Sequence, residues 1–249
     1  MPDVVTKDDM EFYSTCTKID GMFGPDHNLT GPFEVPNVKT ITSRFNAGYL
    51  MPKLKGSDRV DDGVTSISMP DLEEVGGWVL MAYLDNLTSV SFPKLRSVGV
   101  DVAIINNLEL KKLSLPALEN VTKGIFLDGS FDEIHLPNLK HTAYLKVEST
   151  GNIDCRALGK TLSAQVTFHP EIDVVSKPKE AFTCWTRNEN NRYNSSDPAS
   201  TTSANGTTSG NPADPSDTSK PSGGVAVRAE YMTALFGLIA VAAFEVLVM

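Results

Sequence analysis

The chain is short of the side chains on which most site chemistry depends. Its 249 residues include three cysteines, four histidines and two tryptophans. His27, His135, His141 and His169 fall at no metal-ligand spacing, and neither a glycine-rich phosphate loop nor a Ser-His-Asp signature is present. No catalytic residue, metal or cofactor is therefore expected. Adjacent acids such as Asp61-Asp62 and Glu73-Glu74 read as solvated loops without recurring partners, whereas a polysaccharide hydrolase needs two carboxylates gathered at one bond. Basic charge is short too. The 22 Lys and Arg against 31 Asp and Glu give a net charge of −9, which argues against nucleic acid as a partner. The start, MPDVVTKDDMEFYSTC, lacks an apolar h-region, so no signal peptide is visible.

What is abundant is repetition. ISMPDL around Pro70, VSFPKL around Pro93, LSLPAL around Pro116 and IHLPNL around Pro137 are versions of one phrase, stepping by 23, 23 and 21 residues. Weaker versions lie around Pro36 and Pro52. A period near twenty residues signals stacked units, none of which buries its apolar side alone. Two stretches in each unit alternate with the period of a half-buried strand. The first covers residues 64–69, 87–92, 110–115 and 131–136; the second covers 78–84, 100–105, 125–127 and 144–147. Proline, lacking an N–H, ends the first strand at a corner. Gly76-Gly77, Gly99 and Gly124 suit the next corner, and Asp85-Asn86 and Asn106-Asn107 the third.

Three architectures compete for this pattern. A leucine-rich repeat reads LxxLxLxxN, but its Asn position holds Leu72, Leu95 and Leu118, and a strand comes next where a helix is usual. An antiparallel sandwich leaves the constant period and fixed proline unexplained. The expectation is an all-β, right-handed parallel β-helix-like solenoid over residues 1–185. Residues 42–63 depart from the repeat.

Solenoid ends need caps, and the cysteines fall where caps belong. Cys155 and Cys184 come after the last repeat and are read as a disulfide, the alternative being two buried thiols in a reducing compartment; Cys16 is left unpaired. Residues 186–230 read as a disordered stalk, since 194–224 hold no large apolar side chain. About 36 flexible residues span roughly 30–36 Å. Residues 231–249 are an apolar tail preceded by the small residues Ser222-Gly223-Gly224 and a short spacer through Arg228 and Glu230. That is the pattern of a glycosylphosphatidylinositol (GPI) attachment signal, with Ser222 first and Gly223 next as attachment residues. A retained single-span helix and an amphipathic soluble terminus are the alternatives. Five N-x-Ser/Thr sequons, at Asn28, Asn86, Asn120, Asn194 and Asn205, fit an exported glycoprotein.

The phrases VTSISMPDLEEVGG, LTSVSFPKLRSVG with AIINN, and LKKLSLPALENV resemble the receptor L-domain repeats of the fungal GPI-anchored cell-wall organisation proteins, relatives of the sporulation-specific wall proteins. CTKIDG at 16–21 is similar to that family's N-terminal cap, and Cys155 with Cys184 to its C-terminal cap. The resemblance implies a non-enzymatic surface glycoprotein of plasma membrane or wall, held by its GPI lipid, with wall glucan or other wall proteins as partners. It also implies an upstream segment carrying the signal peptide and a cysteine to pair with Cys16. A surface module that binds glycan or protein through a strand face is the second reading, favoured if aromatics such as Tyr83 and Tyr144 align outward. A β-helix polysaccharide hydrolase is the third. Trp78 and Trp185 are expected to be packing residues.

Overall fold

The computed structural model describes residues 6–48, 63–166, 181–188 and 191–196. All of them belong to one of two compact units, Met1–Asp173 with Pro178–Thr201; the other, Val174–Lys177 with Thr202–Met249, contains none. In chain order the first elements are α1 (Lys7–Tyr13), β1 (Lys18–Ile19), β2 (Thr30–Glu34), β3 (Thr40–Ile41), β4 (Phe45–Gly48), β5 (Gly63–Ser68), β6 (Glu74–Val75), β7 (Val79–Ala82) and β8 (Ser89–Ser91). They continue with β9 (Ser97–Val98), β10 (Asp101–Asn107), β11 (Lys112–Ser114), β12 (Asn120–Gly129), β13 (Glu133–His135), β14 (His141–Ser149), α2 (Cys155–Leu162), β15 (Phe182–Thr186) and β16 (Tyr193–Asn194). The described chain is thus mostly parallel β-sheet with two short helices.

Pairing keeps the sequence period. Glu74 pairs with Ser97 and Ser97 with Asn120, Val79 with Val102 and Val102 with Ile125, each 23 residues on. Later the step shortens to 21 from Lys112 to Glu133 and to 20 from Ile125 to Leu145. Every such pair is parallel; only β15 with β16, among the described strands, is antiparallel. Where the repeat was irregular the register is kept and the connection lengthened: Phe45 pairs with Val79 and Thr40 with Glu74, 34 residues apart. Residues 49–62, between β4 and β5, lie outside the described residues, and the longer step, with pairing retained on both sides of it, obscured the early pattern.

Each repeat contributes three strands where alternation predicted two. The predicted ones are present: β5, β8, β11 and β13 as the first, and β7, β10 and the C-terminal parts of β12 and β14 as the second. Between them lie the short β6, β9 and the start of β12, each carrying one buried apolar residue, Val75, Val98 or Val121. One inward side chain gives no alternation to read. The proline answers to a β-turn. Leu72, Leu95, Leu118 and Leu139 donate their N–H to the carbonyls of Met69, Phe92, Leu115 and Leu136 at 3.2–3.3 Å, which puts Pro70, Pro93, Pro116 and Pro137 at the second turn position. Proline's fixed φ suits that position, and its missing N–H is not needed there.

The first strands form the β2-β5-β8 and β11-β13 sheets, and the rest make one large sheet, because β12 and β14 run through the corner between short and long strands. One continuous core lies between these sheets. Its N-terminal end is a chain of rings: Tyr13 on Phe23 at 5.1 Å, Phe23 on Phe33 at 5.9 Å, Phe33 on Phe45 at 6.2 Å and Phe45 on Phe92 at 5.4 Å. α1 therefore packs on the N-terminal end of the core through Tyr13. Further on, Leu, Ile and Val predominate, with Phe131, Phe182 and Tyr193 as the remaining core rings. Stacked corners leave no room for side chains: a Cβ on Gly99 would collide with the Gly76 carbonyl, and one on Gly76 with that of Thr42.

The left-handed corner residue is Asn106, at φ 54°, matching Tyr83 at φ 57° one coil earlier. Asn107 is fully buried; its Oδ1 accepts from Leu84 N–H at 2.9 Å and its Nδ2 donates to the Met81 carbonyl at 3.0 Å. At the other end, Cys155 on α2 and Cys184 on β15 form a disulfide across 29 residues, with Cα atoms 5.4 Å apart. Asn191 secures the same cap by accepting from Cys155 N–H (3.0 Å) and donating to the Ile153 carbonyl (2.7 Å). The folded part continues past residue 185, the boundary read from composition, because β16 pairs Tyr193 with Cys184 and buries that tyrosine.

Asn107→Ala strands a buried N–H and should cost about 2–4 kcal/mol, read as a lower urea midpoint at unchanged slope. Removing the disulfide by Cys155→Ala with Cys184→Ala should cost about 3–4 kcal/mol from loop entropy, measured as the fall in urea midpoint.

Candidate functional site

Alternation divides the long strands between two faces. Val102, Ile104, Ile125, Leu127, Leu145, Val147, Phe182 and Cys184 enter the core. Their neighbours therefore point away from it, and register aligns them in rows across β10, β12, β14 and β15. One row reads Ile105, Asp128, Glu148, Trp185; the next reads Ala103, Phe126, Lys146, Thr183; a third begins Asp101, Gly124, Tyr144. The face is apolar over β7 and β10, where Leu80, Ala82, Ala103 and Ile105 are buried outside the core cluster, and charged over β12 and β14.

Tyr144 lies across β12 and donates its hydroxyl to Asp101 Oδ1 at 2.7 Å, two strands away. Gly124 makes this possible, since any side chain there would occupy the space of the tyrosine ring. Phe126 packs on the same ring with centroids 4.6 Å apart. Burial raises the Asp101 carboxyl above its ordinary range, opposed by the Tyr144 hydrogen bond and the Lys123 charge. Burial also raises the Tyr144 phenol, and the neighbouring carboxylate raises it further.

Asp128 and Glu148 are direct partners in the parallel register. Burial, and then the charge of Glu148, push the Asp128 carboxyl from 3.8 to about 6, partly offset by Lys146. Lys146 Nζ lies 3.2 Å from Glu148 Oε1. Trp185 stands next in that row, 41% exposed, with the Arg192 guanidinium 4.9 Å over its ring. The packing role expected of Trp185 is thus filled by its neighbour Cys184, because the register turns the indole outward. Trp78 is half-buried beneath Arg44, 5.2 Å from its ring. Two half-buried carboxylates, a half-buried lysine and an exposed indole thus share the outward face, while the aliphatic side chains over β7 and β10 are buried.

Comparison with protein-family models, curated proteins and solved structures returned no match to this chain.

The sites read from the sequence are dispersed. Tyr83 and Tyr144 do not align: Tyr83 sits at the corner after β7, whereas Tyr144 lies within β14 and is buried. Glu73 and Glu74 are both exposed, with Glu73 3.8 Å from Lys39; Glu73 precedes β6, whereas Glu74, read as loop, begins that strand. Asn28 and Asn86 occupy exposed turns and Asn120 an exposed strand start. Asn194, placed in the stalk by composition, instead lies half-buried in β16, opposite Thr183. Cys16 is a half-buried free thiol after α1. Asn205, Ser222, Gly223, His169 and Asp61-Asp62 lie outside the described residues, as do the tail and nearly all the stalk. Among the described residues, no group of three or more His, Cys, Asp and Glu could hold a metal, and no helix is long and apolar enough to cross a membrane.

The Asp128–Glu148 pair escaped the sequence because its members are 20 residues apart. The available signal was an acid after the last inward apolar residue in both LD at 127–128 and VE at 147–148.

Because the Asp128 carboxyl is raised in the fold, its ionisation opposes folding. The penalty is absent below the unfolded value of 3.8, grows as pH rises to about 6, and persists above. Asp128→Asn should therefore be neutral near pH 3.5 and stabilising by at most about 3 kcal/mol above pH 7. Urea titrations across that range check the sign.

Proposed function

We propose that this chain is a non-enzymatic, GPI-anchored surface glycoprotein that contributes to the organisation and integrity of a fungal cell wall. Its folded part is read as a right-handed β-helix-like solenoid of receptor L-domain type. What supports that architecture is parallel pairing at a step of 23 residues through the central repeats and 20 or 21 in the later ones, together with the strong preference of parallel crossovers for the right hand. The observation that carries the functional reading is the buried Cys155–Cys184 disulfide, which belongs to an oxidising, exported compartment. Exposed sequons at Asn28, Asn86 and Asn120 fit the same route. The small residues at Ser222 and Gly223 ahead of an apolar tail fit removal of that tail and attachment of lipid. On this reading the membrane holds the protein through lipid, and wall glucan or other wall proteins are its neighbours.

A second reading has a specific observation behind it. The outward row of Asp128, Glu148 and exposed Trp185 suits a binding module for wall glycan. In that case the wall contact is made by the long-strand face rather than by the lipid alone.

The test is treatment of intact membranes carrying the expressed gene with phosphatidylinositol-specific phospholipase C. Release of a protein whose C-terminus maps to Ser222 or Gly223 is expected. Retention in the cytosol with residues 231–249 intact and both cysteines reduced would overturn the reading. Asn28→Gln, Asn86→Gln and Asn120→Gln should each increase electrophoretic mobility by the loss of one glycan.

A further inference from the structure

The first-strand sheet stops at β13. Glu133 N–H donates to the Lys111 carbonyl at 3.2 Å and Leu115 N–H to the His135 carbonyl at 3.0 Å, so Glu133 and His135 spend their backbone groups on β11. In a parallel ladder the residue between them must direct its N–H and C=O to the opposite edge. That residue is Ile134, and no described strand pairs with β13 on that side.

The chain next to this edge is a helix. After β14 it passes Ile153 into α2, which lies where a further strand would otherwise lie. A strand approaches a sheet edge to about 4.8 Å, but a helix about 10 Å wide stands further off. A groove of about 460 Å³ remains between β13 and α2. Its walls are largely apolar, with Ile134, Leu136, Ile153, Leu158 and Leu162 among them. At the N-terminal end of both elements lie two acids, Asp132 and Asp154. Asp132 Oδ1 accepts from Asn152 N–H (2.7 Å), and Asp154 Oδ1 caps α2 through Arg156 and Ala157 N–H (both 3.0 Å). Neither carboxylate forms an ion pair with a described residue, whereas the neighbouring Glu133 is matched by Lys112 at 2.9 Å and by His135 at 3.2 Å.

We propose that this groove receives an extended peptide, which adds to β13 as one more strand and places a cationic residue over Asp132 and Asp154. Main-chain hydrogen bonds to Ile134 supply register. Alternate apolar side chains of the peptide enter between Ile134 and Leu158, and the unmatched acids select a basic end. A neutral apolar molecule would fill the volume but leave both the edge and the acids unused. The site is separate from the outward face of the long strands, and it rests on neither reading of the protein's function.

The test is amide hydrogen exchange on the full chain, with and without a set of blocked heptapeptides carrying Lys at one end and Val, Ile or Thr at alternating positions. Exchange at Ile134 should slow by roughly tenfold on peptide addition. Replacing the terminal Lys by Glu should abolish most of that protection. Ala157→Trp, at an exposed position of α2 facing the groove, should abolish it while the thermal midpoint stays unchanged. An Ile134 amide indifferent to every peptide, or protection that survives Ala157→Trp in full, would overturn the proposal.

Discussion

The strands of each described repeat must meet those of its neighbours at the spacing of a parallel ladder. Backbone groups of one repeat are satisfied by the repeats before and after it, so an uncompensated extra or missing residue within a strand would reverse the facing of the residues beyond it. Length variation therefore falls between strands or at local register shifts. The longer step at the start leaves Phe45 paired with Val79, and the shorter later repeats lose residues in part at two irregularities, between Ile105 and Asn107 and between Val121 and Gly124. The same spacing explains the glycine corners, where successive backbones approach too closely for a Cβ. It explains Asn107 as well, whose buried side chain bonds backbone groups of the preceding coil.

A ladder of this kind has two ends, and they are closed differently. At the N-terminus α1 sets Tyr13 against the first of a series of phenylalanines, a hydrophobic closure. At the C-terminus a covalent bond, an asparagine clamp and Tyr193 packed on Phe182 at 5.2 Å share the task. The heavier fastening has a local cause: α2 interrupts the first-strand sheet and cannot itself accept the ladder's hydrogen bonds. Among the described strands, none pairs with β13 on the side of Ile134, whereas β15 is secured by the disulfide.

The ladder also creates surfaces that no single repeat contains. Side chains on the outer face align at strand spacing, so like residues twenty positions apart become immediate neighbours. Asp128 beside Glu148 is such a pair; burial, and then the charge of Glu148, raises the Asp128 carboxyl. Tyr144 bridging over Gly124 to Asp101 is another. The gradient along this face, from buried aliphatics over β7 and β10 to charge and an exposed indole over β12 to β15, gives it a direction.

Much of the fold was legible because its signals are local. Proline at a turn's second position, alternation over five or six residues and a repeat of 23 each act within one coil, and they located two of three strands and the disulfide. The short strand carrying Val75 or Val98 was hidden because a single inward side chain has no period. Composition misplaced the boundary at 185, since Tyr193 is one apolar residue among polar ones and its burial depends on Phe182 and Gly159. The candidate sites belonged to tertiary structure altogether. Whether Asp128 meets Glu148, whether Trp185 or Cys184 faces the core, and whether β13 keeps an open edge depend on register and on which element lies beside a strand in space. The sequence by itself determined the unit, its corners and its covalent fastening; only the stacking of units decided which distant side chains share a surface, because that neighbourhood runs perpendicular to the chain.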